Sequence, residues 1–332
     1  MATTHLPARD VCLVISDGTL AEGTLIQRVQ SASVDTSQNT EDVRELGSTD
    51  FWTFYNEPTV DVSIERNCIG DSVVQSALNT NYVQGSSTLK DMIYDNTGAL
   101  ITKNLYLCGG DTSGDPDAIT PEIIFGATNC YLSGVDFTFD VGGMATESWR
   151  FEASEVSDGD GDTLTELADP GTPSVITALT AASGYGGIRH SDVDVQICGD
   201  GIDDVGAIVS RVQSVTFSGS VSRTPYSELM AVSSGGYVGP FVRIGELPFD
   251  VTATIELFPS ENVDAILAQL GSINSPTTAG SSTAVVQVKL TDISGQKIYR
   301  MSNCIMQDVS FAADAGGVGT ISLTVKAFDL LL

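Results

Sequence analysis

Basic side chains are scarce in this sequence. Lys and Arg total 15 against 43 Asp and Glu, a net charge of −28 over 332 residues. Proteins that hold nucleic acid neutralise its phosphates with clustered cations, so that class is excluded. Among the cations the lysines are Lys90, Lys103, Lys289, Lys297 and Lys326. High acid with little lysine suits a high-salt setting, where screening blunts self-repulsion; a solvated acidic surface is the alternative.

Histidine is nearly absent. His5 and His190 are the imidazoles, and neither stands in a triad context. Acid–base and nucleophilic catalysis have little to draw on, so no enzyme activity and no cofactor are expected. Gly109-Gly110-Asp111 and Gly184-Tyr185-Gly186-Gly187 lack the strand-then-helix context of a phosphate loop and its following Lys. The six cysteines, Cys12, Cys68, Cys108, Cys130, Cys198 and Cys304, form no Cys-x-x-Cys pair. They read as small buried thiols rather than zinc ligands or disulfides.

Long hydrophobic runs are missing too. No apolar stretch approaches the roughly 20 residues of a membrane helix, and no membrane partner is expected. Residues 1–10 lack the apolar core of a signal peptide, which speaks against export by the secretory route. The hydrophobic fraction is nonetheless ordinary at 42%. The length gives room for two domains, each with its own core.

What is present is present twice. Arg28-Val29-Gln30-Ser31 returns as Arg211-Val212-Gln213-Ser214, and Glu45-Leu46 as Glu228-Leu229. Val60-Asp61-Val62-Ser63-Ile64-Glu65 is matched by Val251-Thr252-Ala253-Thr254-Ile255-Glu256. Asn129-Cys130 returns as Asn303-Cys304, and Gly142-Gly143 as Gly316-Gly317. Collinear matches of this kind predict a tandem duplication. The domains are set at 1–153 and 191–332. Between them, 154–190 is a Gly/Asp/Ser/Thr-rich linker or insertion.

Within each half the pattern is that of strands. Residues 28–35 and 211–218 alternate apolar and polar, as a strand does with one face on a core. Strands follow at 59–66 and 249–257, then at 90–107 matched by 284–301. Asp95-Asn96-Thr97-Gly98 and Asp292-Ile293-Ser294-Gly295 read as hairpin turns. Closing strands lie on either side of Gly142-Gly143 and Gly316-Gly317. Each half has one helical candidate: Asp71 before Val73, Val74 and Leu78, and Ser260-Glu261 before Val263, Ile266, Leu267 and Leu270. The fold class is therefore mainly β, two tandem β-sandwich domains with one short helix each.

Two long arms break this regularity. Residues 36–57 carry Phe51, Trp52, Phe54 and Tyr55; residues 219–248 carry Tyr226, Tyr237 and Phe241. Connections this long are often functional, and their aromatics suit burial either on their own domain or on another subunit. The apolar end Phe328, Leu330, Leu331 and Leu332 has the same two options. Asp158, Asp160 and Asp162 resemble the start of a calcium loop, but Thr163 and Asp169 stand where Gly and Glu belong. They form only a weak metal candidate beside a solvated acidic loop.

The strand Arg28-Val29-Gln30-Ser31, the long arm, the strand ending Ile64-Glu65, the single helix and the closing hairpin resemble the tail tube (major tail) proteins of tailed viruses. The resemblance spans roughly 10–153 and 194–328. In its duplicated form it implies a homotrimer whose rings have pseudo-sixfold symmetry and stack into a tube. It implies a structural virion protein, assembled in the host cytoplasm and located in the tail beside other tail proteins. Viral DNA would pass through the bore during genome ejection without specific binding. Joined to the acidic composition, it implies a halophilic source such as a haloarchaeal virus. A secreted or surface acidic β-sandwich protein, an adhesin or envelope-layer module, is the rival.

Alternation gives the strands an apolar and a polar face, and the resemblance assigns the polar one to the bore. Ala32, Val34, Val135, Phe137, Phe139, Val215, Phe217, Val309, Phe311 and Ala313 are expected in the core. Ser31, Ser33, Asp35, Asp136, Thr138, Asp140, Ser214, Thr216, Ser218, Asp308, Ser310 and Asp314 are then expected to line the bore. That set holds hydroxyls and carboxylates and no Lys or Arg.

Overall fold

The computed structural model describes residues 11–17, 23–26, 29–37, 40–44, 51–55, 59–67, 72–111, 118–153, 155–157, 176–177, 188–198, 211–226, 242–245, 249–259, 267, 284–292, 295–313 and 319–332. The chain opens with β1 (Val11–Ser16), β2 (Thr24–Ile26), β3 (Val29–Ser37), β4 (Thr40–Arg44), β5 (Phe51–Tyr55) and β6 (Thr59–Asn67). The short helix α1 (Val73–Leu78) and a 3-10 turn, Leu89–Met92, lead to β7 (Lys103–Asp111) and the long β8 (Ala118–Asp140). β9 (Thr146–Ala153), β10 (Glu155–Ser157) and β11 (Ile176–Thr177) follow. After a 3-10 turn at His190–Asp192 come β12 (Val193–Cys198), β13 (Val212–Ser220), β14 (Arg223–Tyr226), β15 (Val242–Gly245) and β16 (Asp250–Leu257). β17 (Val285–Asp292), β18 (Gly295–Ser302), β19 (Ile305–Ala312), β20 (Thr320–Ala327) and β21 (Leu330–Leu331) close the chain. The protein is mainly β.

One long antiparallel sheet runs β3-β6-β9-β8-β13-β16-β20-β19. Its first four strands and its last four have the same order. β8 joins the two sets by pairing with β13. Two smaller sheets lie across the long one. They are β2-β1-β7 with the first part of β8, and β12-β17-β18-β21. Apolar residues of all three sheets form one buried cluster, so the architecture is sandwich-like.

Period-two alternation builds the long sheet. In β16, Val251, Ala253, Ile255 and Leu257 are buried while Thr252, Thr254 and Glu256 are not. β9 does the same with Trp149, Phe151 and Ala153. Rings then lock the layers. Phe137 meets Trp149 edge-on at 5.7 Å, and Tyr299 of β18 lies 4.5 Å from Phe137 and 5.6 Å from Phe139.

The two halves repeat local irregularities as well as strand order. Register shifts fall between Val29 and Ser31 and between Val212 and Ser214, and again between Leu132 and Gly134 and between Met306 and Asp308. Asn129 (φ 52°) and Asn303 (φ 56°) take the left-handed conformation at equivalent corners, where the chain passes from a small sheet to the long one. The next residue is a buried cysteine each time. Cys130 Sγ donates to Ala127 O at 3.2 Å and Cys304 Sγ to Met301 O at 3.4 Å. Burial pushes both thiols up, Cys304 to about 12.

The structure departs from the sequence expectations in two places, the strands within 90–107 and the core placement of Phe311 and Ala313. Residues 90–107 hold no matched strand pair, because β7 begins at Lys103 and pairs with β1 and β8. Asp95–Gly98 is nonetheless the expected hairpin turn, flanked by an antiparallel bridge between Tyr94 and Leu100: Asp95 Oδ1 accepts from the Thr97 and Ala99 amides, and Gly98 takes a φ of +83°. Of its two options the terminal segment takes burial on its own chain: Leu330 and Leu332 are fully buried and β21 pairs with β18. Phe311 and Ala313 are not in the core; Phe311 is 65% exposed. The helix candidate at 71–78 is α1, with Val74 and Leu78 buried. Of the candidate at 260–271 only Leu267 is described; it is helical and packs on the core.

Candidate functional site

The outward face of the long sheet carries the residues assigned to the bore. Ser31, Ser33, Asp35, Asp136, Thr138, Asp140, Ser214, Thr216, Ser218, Asp308 and Ser310 all lie on it, by alternation with their buried neighbours. Asp314 lies outside the described residues. Strand pairing arranges this face in rows across the sheet. Thr146, Thr138, Thr216, Thr254 and Thr324 stand opposite one another on successive strands, and Asp308 continues the row. One step along the strands, Ser148, Asp136, Ser218, Thr252 and Lys326 form a second row. Asp140, Ser214, Glu256, Ser322 and Ser310 form a third.

Hydroxyl–carboxylate bonds tie the rows together. Ser218 Oγ donates to Asp136 Oδ1 at 2.5 Å, Ser214 Oγ to Glu256 Oε2 at 3.3 Å and Ser31 Oγ to Glu65 Oε2 at 3.3 Å. Ser33 and Ser63 share a bond of 2.9 Å. Such cross-strand pairs are the elementary stabilising unit of a sheet face.

The alternation of 59–66 and 249–257 also adds Asp61, Ser63, Glu65, Thr252, Thr254 and Glu256, which a set drawn from four strands leaves out. Among the described residues two cations belong to the face as well, Arg150 of β9 and Lys326 of β20. Arg150 Nη1 pairs with Asp136 Oδ2 at 2.9 Å, and Lys326 pairs with Asp250. The face is therefore acidic with two tethered cations, rather than free of Lys and Arg.

At its two ends the sheet stops. Among the described residues β3 pairs only with β6, and β19 only with β20. These edges correspond to strands that are fully covered at the centre. β13 stands in the second half where β3 stands in the first, and β8 in the first where β19 stands in the second. Val215 and Phe217 of β13 are completely buried; their counterparts Ala32 and Val34 in β3 are only partly so. Val135, Phe137 and Phe139 of β8 are buried; Val309 is partly exposed and Phe311 and Ala313 are open.

The arms are hairpins. β4 pairs with β5, and β14 with β15, each as a separate two-stranded sheet. Phe51, Trp52, Phe54 and Tyr55 lie on β5 and Tyr226 on β14, and their side chains are outside the described residues, as are Tyr237 and Phe241 entirely. Arg223 fixes the root of the second arm. Its guanidinium donates to Leu132 O at 2.9 Å and lies over the Tyr131 ring at 5.0 Å. Asp158, Asp160 and Asp162 lie outside the described residues. Among those described, no three His, Cys, Asp or Glu side chains gather where a metal could sit.

No protein-family profile matches the chain, and no curated protein matches it by sequence. Solved structures that resemble part of it include two from contractile injection systems. One is the tube-terminating cap of the anti-feeding prophage, at 12% identity and a TM-score of 0.34, covering 47% of this chain and 92% of that one. The other is the sheath–tube complex of an extracellular contractile injection system in its extended state, at 11% identity and a TM-score of 0.34, with the same coverage. At that TM-score neither likeness bears on function.

Proposed function

We propose that the chain is a tandem duplication of one tube-forming domain and that its copies join edge to edge into a ring, the building block of a viral tail tube. One observation carries this. The β8–β13 junction sits inside the chain, and the equivalents of both its strands lie open at the two ends of the same sheet. β19 of one copy meets β3 of the next as β8 meets β13. An interface of this head-to-tail kind closes into a ring when its rotation allows, and closure removes the open edges.

The internal junction supplies the register of the outer one. Phe217 faces Phe137 and Ser218 faces Asp136 within the chain. Carried to the edges, Val34 of one copy faces Phe311 of the next, and Asp35 faces Ser310. The hydroxyl–carboxylate pair survives with its members exchanged, Ser218 with Asp136 inside and Ser310 with Asp35 outside. Tyr299, which roofs Phe137 inside the chain, has Phe125 as its counterpart in the first half. That ring covers Phe311 of the adjoining copy.

Three chains then give six near-equivalent domains, the arrangement implied by the resemblance. The polar face becomes the bore. Its carboxylates repel phosphates within about 8–10 Å at moderate salt, and its two cations are held by Asp136 and Asp250. Viral DNA slides past such a wall without a binding partner. The arm hairpins reach the next ring of the stack. Negative-stain microscopy and sedimentation test the reading. Wild-type protein forms rings or tubes, and Phe311→Asp remains a folded monomer. Wild type that stays monomeric at high protein concentration, in both low and molar salt, contradicts it and favours the surface β-sandwich alternative.

A further inference from the structure

Two cysteines far apart in sequence stand side by side. Cys12 on β1 is directly opposite Cys108 on β7. Both lie on the face of their small sheet that points away from the main core. There Val14, Tyr106, Cys108 and Ile124 form a separate buried cluster, with Cys12 and Leu25 packed at its margin. Directly paired residues of an antiparallel ladder have Cα atoms about 4.5 or 5.5 Å apart. Both spacings fall inside the window of about 4.4–6.8 Å that a disulfide spans. The second half sets the contrast. Its corresponding pair across β12 and β17 is Asp194 and Lys289, which form no such bond.

We infer that Cys12 and Cys108 are a disulfide-forming modification site, open to low-molecular-weight disulfides such as oxidised glutathione. The division of labour follows from burial. Cys108 is fully buried, while Cys12 is partly exposed. A hydrogen bond from the Cys108 thiol holds Cys12 below the ordinary thiol range against the opposing effect of burial, and the same bond together with burial holds Cys108 above it. Cys12 is the attacking sulfur. Its thiolate displaces one thiolate from the small disulfide and is left in a mixed disulfide. The negative charge beside Cys108 is then gone, and Cys108 gives up its proton to solvent. The Cys108 sulfur attacks Cys12, forms the protein disulfide and releases the second small thiolate. Two protein thiols are oxidised and one small disulfide is reduced to two thiols. The bond ties β1 to β7 and closes a long loop of chain, so it restrains the unfolded state. Protein made in a reducing cytoplasm would acquire it on passing to oxidising surroundings. None of this depends on ring formation.

The experiment treats the native full chain with oxidised glutathione near pH 8, blocks remaining thiols with an alkylating agent, and maps the peptides by mass. The expected product is a cross-linked peptide pair containing Cys12 and Cys108, with the loss of two free thiols and full reversal by dithiothreitol. Cys108→Ser is expected to accumulate glutathione on Cys12, whereas Cys12→Ser leaves Cys108 unmodified. The oxidised wild type should also unfold a few degrees higher than the reduced form. Recovery of both cysteines alkylated in oxidised wild type overturns the inference whatever the variants do. So does glutathione found first on Cys108.

Discussion

The centre and the ends of the long sheet are built from corresponding strands and meet different fates. At the β8–β13 junction Phe137, Phe139, Val215 and Phe217 are buried, and Tyr299 packs on the rings of Phe137 and Phe139. At the ends Phe311 and Val34 occupy the matching positions, paired on one side only among the described residues. The chain spends apolar residues on an edge that a self-sufficient sheet would blunt with charge, proline or a covering loop. The difference teaches that an apolar alternating strand reports a need for a partner without saying whether that partner is in the same molecule.

The contrast is sharpest under mutation. Phe137→Ala should cost the free chain about 3–5 kcal/mol, because a buried aromatic leaves a cavity at the junction. Phe311→Ala should change the stability of the free chain by no more than about 0.5 kcal/mol, because little of the ring is buried. Urea denaturation of the two variants at equal, low protein concentration checks this. Equal losses would mean that the edge is already covered.

A second contrast concerns one buried position filled in two ways. Arg66 and Glu147 face each other in the core of the first half, with Arg66 Nε 2.9 Å from Glu147 Oε1. The second half has Leu257 facing Ile321 at the same place. Breaking the ion pair with Glu147→Ala should cost about 3–5 kcal/mol, since it strands a buried guanidinium. Copying the second half, with Arg66→Leu and Glu147→Ile together, should be neutral or stabilising by about 1–4 kcal/mol. A double variant as unstable as the single would show that the pair does more than fill space.

The smallest effect is electrostatic. Asp95 is held below the usual carboxylate range by the Thr97 hydroxyl and the Ala99 amide, while burial holds Asp329 above it. The signs are opposite. The Asp95 contribution is present above the ordinary aspartate range and is lost as pH falls through the lowered value. The Asp329 contribution is present in acid and is lost as pH rises through the raised value. Asp329→Asn should therefore gain relative to wild type on going from pH 4 to pH 7, and Asp95→Asn should lose over the same interval. Melting curves at the two pH values decide both.

Much of this was legible in sequence because period two states which face a residue takes. The alternation of Val215 and Phe217 with Thr216 and Ser218 and the helix at Val73 follow from neighbours along the chain. What stands beside a strand does not. Ser218 meets Asp136, and Cys12 meets Cys108, across separations that no local pattern encodes. The same gap hid the exposure of Phe311 and the hairpins within the arms. Arg66 escaped because a charged residue inside an apolar set reads as the end of the strand until its partner Glu147 is placed opposite.

The most direct test of the edge pairing is a cross-link in the register the internal junction dictates. Val34→Cys and Phe311→Cys in one chain should, on mild oxidation of assembled protein, give covalent oligomers resolved by non-reducing electrophoresis. Ser33→Cys with Phe311→Cys, whose side chains point to opposite faces, should give none. A chain that stays monomeric under oxidation, or links 34 to 311 within itself, would contradict the account.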